Sequence, residues 1–440
     1  MYSFNPKTKT MSSKSSKPIV PKDLILPFIL LTTCFALWGF ANDLTNPMVK
    51  AFSKILRVSN FQGALVQFAF YGGYFVMAFP AALFIKRFNY KSGILVGLIL
   101  YAIGGLLFIP ASQMLMFWPF LLAYFILTCG LSFLETTSNP YILSMGPEET
   151  ATRRLNFAQA FNPVGSLMGM FVAQQVVLAR INPASAGERS EMTAEQLQQV
   201  TASDLEIIRT PYIAIAGVIL VIFILILITN MPKKQDQDHS LRVKSTLQRL
   251  FSNRKYYEGV IAQFFYVGAQ IMCWTFIIHY GTMELGMTEA EAQGYNIIAM
   301  IIFASSRFIT TYLMKYFRSG QLLMVFAIGG MALVLGTIFI QGMLGLYCLV
   351  GVSACMSLMF PTIYGIALRG LGADAKFGAA GLIMAIVGGS IMPPLQGAII
   401  DLGTIFSYPA VRVSFVLPLI SFIVITIFGR RTEKIHLKNV

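Results

Sequence analysis

The chain has 440 residues, 56% of them hydrophobic and only 12% charged, and a mean hydropathy of +0.68. With long uncharged runs, these proportions exclude an ordinary soluble domain and require a polytopic membrane protein. The net charge of +14 does not indicate nucleic acid, because Lys and Arg fall almost wholly in short segments between apolar runs, where they set orientation in a bilayer.

Residues 1–22 are rich in Ser and Lys and read as a disordered cytoplasmic tail. The apolar run that follows is longer than a signal h-region and carries Asn42, Asp43 and Asn46, so it is expected to be a mature first span and not a cleaved leader. A membrane-crossing helix needs about 20 mostly apolar residues. That template fits twelve times, at about 24–47, 61–85, 92–112, 115–142, 154–179, 210–231, 257–281, 294–315, 321–342, 344–368, 378–400 and 409–429. Pro80, Pro163, Pro361 and the Pro393-Pro394 pair fall inside spans and are expected to mark kinks.

Two longer polar stretches divide the pattern. Residues 181–209 carry Glu188, Glu191, Glu195, Asp204 and Glu206 and read as an external loop with a short helix starting near Thr193. Residues 232–256 read as a basic internal linker with a surface helix near 245–251. The expected organisation is therefore a six-helix half at 23–231, the linker, a second six-helix half at 257–430 and a cytoplasmic tail at 431–440. An all-α chain of twelve spans in two such halves is the arrangement of major facilitator transporters. Residue-level repetition between the halves is not evident.

The basic residues test this count. With both termini cytoplasmic, the outer segments hold only Lys50, Lys54, Arg57, Arg180, Arg189, Arg209 and Arg412. The inner bias is about threefold, as the positive-inside rule expects, and an odd number of spans would scramble it. The five cysteines all lie in apolar segments with no CxxC pair, so no disulfide framework, zinc site or other cofactor is expected.

Some polar residues lie at lipid depth, where a charge costs roughly 2.5–3.5 kcal/mol on insertion scales. Glu135, in the polar patch 135–139 that closes the fourth span, is followed four residues later by Asn139. In the first span Asp43 and Asn46 are three apart, and in the fifth Asn156, Gln159 and Asn162 recur at intervals of three. Such spacings put each set on one helix face, and a membrane helix turns that face toward the bundle interior. In the second half Gln263 and Gln270 are two turns apart and are expected to oppose the first-half stripe. Arg307 is expected to pair with an acid or to snorkel, and His279 to be a boundary residue. Carboxylates and amides flanked by aromatic rings, Trp38, Tyr71, Tyr74, Tyr266 and Trp274 among them, suit a neutral polyol such as a sugar better than an ion or a lipid. Burial disfavours the charged form of an acid, which makes Glu135 and Asp43 the candidates to carry a proton with the solute.

The runs Ala41-Asn42-Asp43-Leu44, Phe70-Tyr71-Gly72-Gly73-Tyr74-Phe75, Leu134-Glu135-Thr136, Leu155-Asn156-Phe157-Ala158-Gln159-Ala160-Phe161-Asn162, Ala262-Gln263-Phe264-Phe265-Tyr266-Val267-Gly268-Ala269-Gln270 and Phe360-Pro361-Thr362-Ile363 resemble the fucose–proton symporter family of the major facilitator superfamily. The resemblance covers about residues 24 to 430. It implies import of L-fucose or a related monosaccharide, driven by protons through alternating access, by a monomer in a bacterial inner membrane. It also implies that Glu135, Gln159 and Asn162 stand in the central cavity. The family pattern has an amide where this chain has Asp43 and a carboxylate where it has Asn46, so the acid is moved one helical turn. Members that carry glucose and galactose keep the sugar open, as does an uncoupled uniporter the mechanism. No HExxH, GxSxG or His/Asp pair supports an enzyme.

Overall fold

The structure is a computed structural model and describes residues 18–57, 60–184, 186–231, 243–405 and 407–438. The expected tail at 1–17 and the linker at 232–242 lie outside the described residues. Twelve helices among the described residues are long and apolar enough to cross a membrane, from Lys22–Thr45 to Ala410–Glu433. The chain is a multi-pass membrane protein in two six-helix halves. Helices are the form such spans must take, because lipid offers no partner to a backbone N–H or C=O. The only strands described are the two-residue pair Thr404–Ile405 and Tyr408–Pro409, a turn between the last two spans.

One expectation is corrected, and the kink expected at Pro163 is found. The stretch before the sixth span is no separate short helix: one 35-residue helix runs Ala194–Ile228, opened by a Thr193/Gln196 capping box. Pro211 lies inside it without ending it. The segment above the proline is held to the bundle by buried Leu205 and Ile208, and by Asp204, which accepts from Arg189 and from the Asn182 backbone N–H. The fifth span, by contrast, is broken into Ala151–Gln159 and Asn162–Val172, just ahead of Pro163, and ends in a π-helical turn at Ala173–Leu178.

Close helix pairs set the frame of each half. A Cβ at Gly165 would lie 1.8 Å from the Ala36 carbonyl oxygen, so the first and fifth spans touch backbone to backbone there. The second half repeats the device between its seventh and eleventh spans, where a Cβ at Gly388 would lie 2.2 Å from the Phe264 carbonyl oxygen. Small residues allow such approach in membranes, where dispersion replaces the hydrophobic drive. The halves are alike in this backbone contact even though their side chains do not repeat.

Basic residues at the terminus-bearing end do more than record topology. Arg154 is fully buried and donates to the carbonyls of Ile142, Leu143 and Ile19. Lys91 donates to the carbonyls of Leu227 and Thr229. Both thus satisfy the orphan acceptors that every helix leaves at its C-terminal end. The five cysteines are free, and three are fully enclosed.

Gly165→Val puts methyl groups where Ala36 leaves no room. Overpacking of this kind costs about 1–3 kcal/mol or more, so the thermal midpoint of the purified protein in detergent is expected to fall, while Gly217→Val, which meets nothing within 4 Å, leaves it unchanged.

Candidate functional site

The two halves meet around a cavity of about 130 Å³. Its first-half wall is polar: Asn42 and Asp43 from the first span, Glu135 from the fourth, and Gln159, Asn162 and Ser166 from the fifth. The second-half wall is mostly apolar, with Val267, Ile271, Trp274, Met300, Phe303 and Phe360, relieved by Gln270 and Arg307. The helix breaks explain part of this. Because the fifth span is interrupted between Gln159 and Asn162, both amides reach the same cavity from separate short helices.

Glu135 is 7% exposed. Its Oε1 accepts from the Tyr74 hydroxyl at 3.3 Å, while among the described residues Oε2 has no hydrogen-bond partner and no ion pair reaches the side chain. Gln159 donates through Nε2 to Asn139 Oδ1 at 2.9 Å, which fixes which way its amide faces. Asn162 donates to the Phe35 carbonyl at 3.1 Å. Asp43 is half-buried in the cavity wall. Trp38 and Trp274 stand on opposite walls, the indole N–H of Trp274 donating to Ser353 Oγ at 3.2 Å.

Beneath the cavity the halves are joined, and all these links lie toward the end that bears the termini. Arg307 of the eighth span donates through Nη1 to the Gln159 carbonyl at 3.1 Å and through Nε to the Ser357 carbonyl, with its guanidinium 4.4 Å from the centre of the Phe303 ring. Asn156 Nδ2 donates to Thr362 Oγ1 at 3.2 Å. Lys376 donates to the Ile85 carbonyl at 3.2 Å, and Phe79 meets Phe377.

The sequence-based site is thus partly assembled. Glu135, Asp43, Gln159, Asn162, Trp38 and Gln270 line one cavity. Asn139, Gln263 and Tyr266 do not line it. Asn139 stands behind Gln159 as its acceptor, and the Tyr266 hydroxyl donates to the Met356 carbonyl. Gln263 shares a face with Gln270 but lies two turns, about 10 Å, further in, below the floor where the halves close. The side chain of Asn46 lies outside the described residues. Arg307 neither snorkels nor pairs with an acid: it is 3% exposed and spans the seam of the two halves. Sequence reasoning missed its place because a lone cation near a helix end resembles a snorkelling one. Asn42 and Ser166 were legible only as neighbours of residues already singled out.

A cavity between two like bundles, closed beneath and polar mainly on one wall, defines a membrane carrier for a small solute with a polar and an apolar face. The chain belongs to the Major Facilitator Superfamily, whose family model matches residues 30–393. It is 55% identical over 95% of its length to the L-fucose-proton symporter of Haemophilus influenzae, 99% of which is covered. It is 36% identical to the L-fucose-proton symporter of Escherichia coli, over 93% of each chain, and 30% identical to a glucose/galactose transporter of Brucella abortus, over 91% and 92%. Among solved structures it is similar to the transporter FucP in the outward conformation, with a TM-score of 0.86, 36% identity, and 93% and 99% coverage of the two chains.

Arg307→Met removes the donors to two buried carbonyls. A bond to a charged group contributes about 1.5–3 kcal/mol, so a loss of stability of that order is expected in thermal unfolding, whereas Arg318→Met, in an exposed pair with Glu433, changes it by less than about 1 kcal/mol.

Proposed function

We propose that this protein imports L-fucose together with protons. Its 55% identity to a curated L-fucose-proton symporter over nearly the full length of both chains supports this substrate. The observation that carries the chemistry is Glu135: a carboxyl group enclosed in the cavity wall, unpaired with any cation and with one oxygen unbonded. A charge held there is costly, and a proton on that free oxygen removes the cost without breaking a bond.

In this reading the hydroxyl-bearing face of the sugar meets the first half, where Gln159 and Asn162 offer amides that both donate and accept. Its C–H face lies against Trp274 of the second half, with Gln270 as a polar anchor on that wall, while Trp38 flanks the sugar from the first half. Asn46, one turn from Asp43, belongs to the same proposed site. Glu135 takes a proton from the side to which the cavity opens, and Asp43 is the second acid available for coupling. The terminus-bearing end is cytoplasmic by its excess of Lys and Arg, so the links beneath the cavity close the inner gate and the conformation faces outward. Transport then requires the halves to rock about the bound sugar, breaking the Asn156–Thr362 and Lys376–Ile85 contacts and opening the inner side. The protein acts as a monomer in a bacterial inner membrane, with both termini inside.

A glucose or galactose carrier is the second reading, favoured by the 30% identity to a relative with that name. Adding L-fucose, D-glucose and D-galactose in turn to lightly buffered vesicles separates the readings. External alkalinisation with L-fucose alone is expected; alkalinisation with D-glucose instead reassigns the sugar, and uptake with no alkalinisation makes the protein a uniporter.

Protons are co-substrates, so raising the external pH is expected to slow fucose accumulation. Glu135→Gln, which mimics the protonated acid, is expected to leave sugar exchange running but to bring accumulation down to simple equilibration and to flatten its pH dependence. Asp43→Asn tests the second acid in the same assay. Proton uptake that persists unchanged in both variants rules out these carboxyls as the coupling groups.

A further inference from the structure

One turn below the cavity, toward the closed end, lies a second tier of polar residues. Asn139 follows Glu135 by four residues, Gln263 precedes Val267 by four, Tyr364 follows Phe360 by four, and Asn156 precedes Gln159 by three. Each therefore shares a helix face with a residue that lines the cavity, about 5–6 Å further in. The four also stand at one level across the seam. Gly259 packs on Ala367 and the Tyr266 ring meets Phe360 at 6.2 Å, so the antiparallel seventh and tenth spans bring Gln263 level with Ile363 and Tyr364. Asn156 reaches Thr362 directly, and Tyr364 lies within reach of Asn139 and of the Glu135 charge.

All four side chains are fully buried, yet the tier is poorly bonded. Both side-chain polar atoms of Gln263 complete no hydrogen bond with any described group, and Nδ2 of Asn139 and the Tyr364 hydroxyl have no described partner beyond each other. Unpaired buried amides and hydroxyls are a cost to the conformation that contains them. A membrane protein that only packed its halves together here would be better served by leucine or phenylalanine at these positions. The cost is recovered if another conformation uses the same atoms.

We infer that Asn139, Gln263 and Tyr364, with Asn156 once it is released from Thr362, form an inner subsite for the sugar, distinct from the cavity and assembled only when the inner ends of the halves part. This rests on the reading of the protein as a sugar carrier. The sugar's hydroxyls pass from the upper amides, Gln159 and Asn162, to the lower ones, and the solute leaves by stages instead of in one step. In the conformation described here the lower tier has no access to the sugar, so the two tiers are separable by the side from which they are loaded.

The test uses Gln263→Met and Tyr364→Phe, which keep shape and remove only polar atoms that have no described partner outside the tier. Fucose binding to the full-length protein is read by tryptophan fluorescence, Trp38 and Trp274 being in the cavity wall. Exchange is read in oriented vesicles from each face. The expected result is a parent-like thermal midpoint, outward-face binding within twofold of the parent, and a half-saturating sugar concentration at the inner face raised tenfold or more. An inner-face value within twofold of the parent, an equal rise at both faces, or a lowered midpoint in both variants overturns the subsite. A parent protein that exchanges no L-fucose overturns the carrier reading itself, and the subsite with it.

Discussion

A polar group inside a membrane has only the protein to bond with, and that constraint organises this molecule. Many of its buried hydroxyl side chains answer the constraint locally, as Thr128, Thr137 and Ser421 do by donating to the carbonyl one turn back. A smaller set answers it across the seam of the two halves. Arg307 to the Gln159 carbonyl and Asn156 to Thr362 bond the halves at the floor of the cavity, and Gln159 is held in turn by Asn139 of its own half. In the proposed reading Gln159 therefore both offers its amide to the sugar and takes part, through its carbonyl, in the seam that must open for the sugar to pass. Binding and gating share parts, which is what coupling a site to a global rearrangement requires.

The asymmetry of the walls follows from the same rule. The first half carries its polar groups on three helices, each with a backing partner: Tyr74 behind Glu135, Asn139 behind Gln159, the Phe35 carbonyl behind Asn162. The second half offers mainly rings and aliphatic side chains, with Trp274 and Phe303 packed edge to face at 4.9 Å. A ring face needs no hydrogen bond and can slide along a C–H surface at small cost. In the proposed reading, one wall fixes the orientation of the sugar and the other tolerates its movement.

Much of this was legible in the chain. Twelve apolar runs, the charge bias and the spacing of Glu135, Asp43, Gln159 and Asn162 identify the spans and the residues facing inward, because hydropathy and helical period are properties of single helices. What was not legible depends on pairs of helices. Nothing local distinguishes Gln270, in the cavity wall, from Gln263, sealed beneath it; the difference is where the opposing half closes. Arg307 is the same case, since its partners lie 50 and 148 residues away. The continuous helix across Pro211 was missed because the polar residues before it face water while Leu205 and Ile208 still hold it to the bundle.

The cations of the terminus-bearing end carry one more consequence. Arg154 is spent on three carbonyls, Lys91 on two, and Lys376 and Lys86 are folded over aromatic rings at the seam. A count of Lys and Arg in the loops therefore overstates the positive field that the membrane surface meets, since part of it is neutralised against helix ends inside the protein. The attraction of this face for acidic lipid headgroups is correspondingly weaker than the sequence implies. The charges that oriented the chain during insertion have, in the folded carrier, become bonds between its helices.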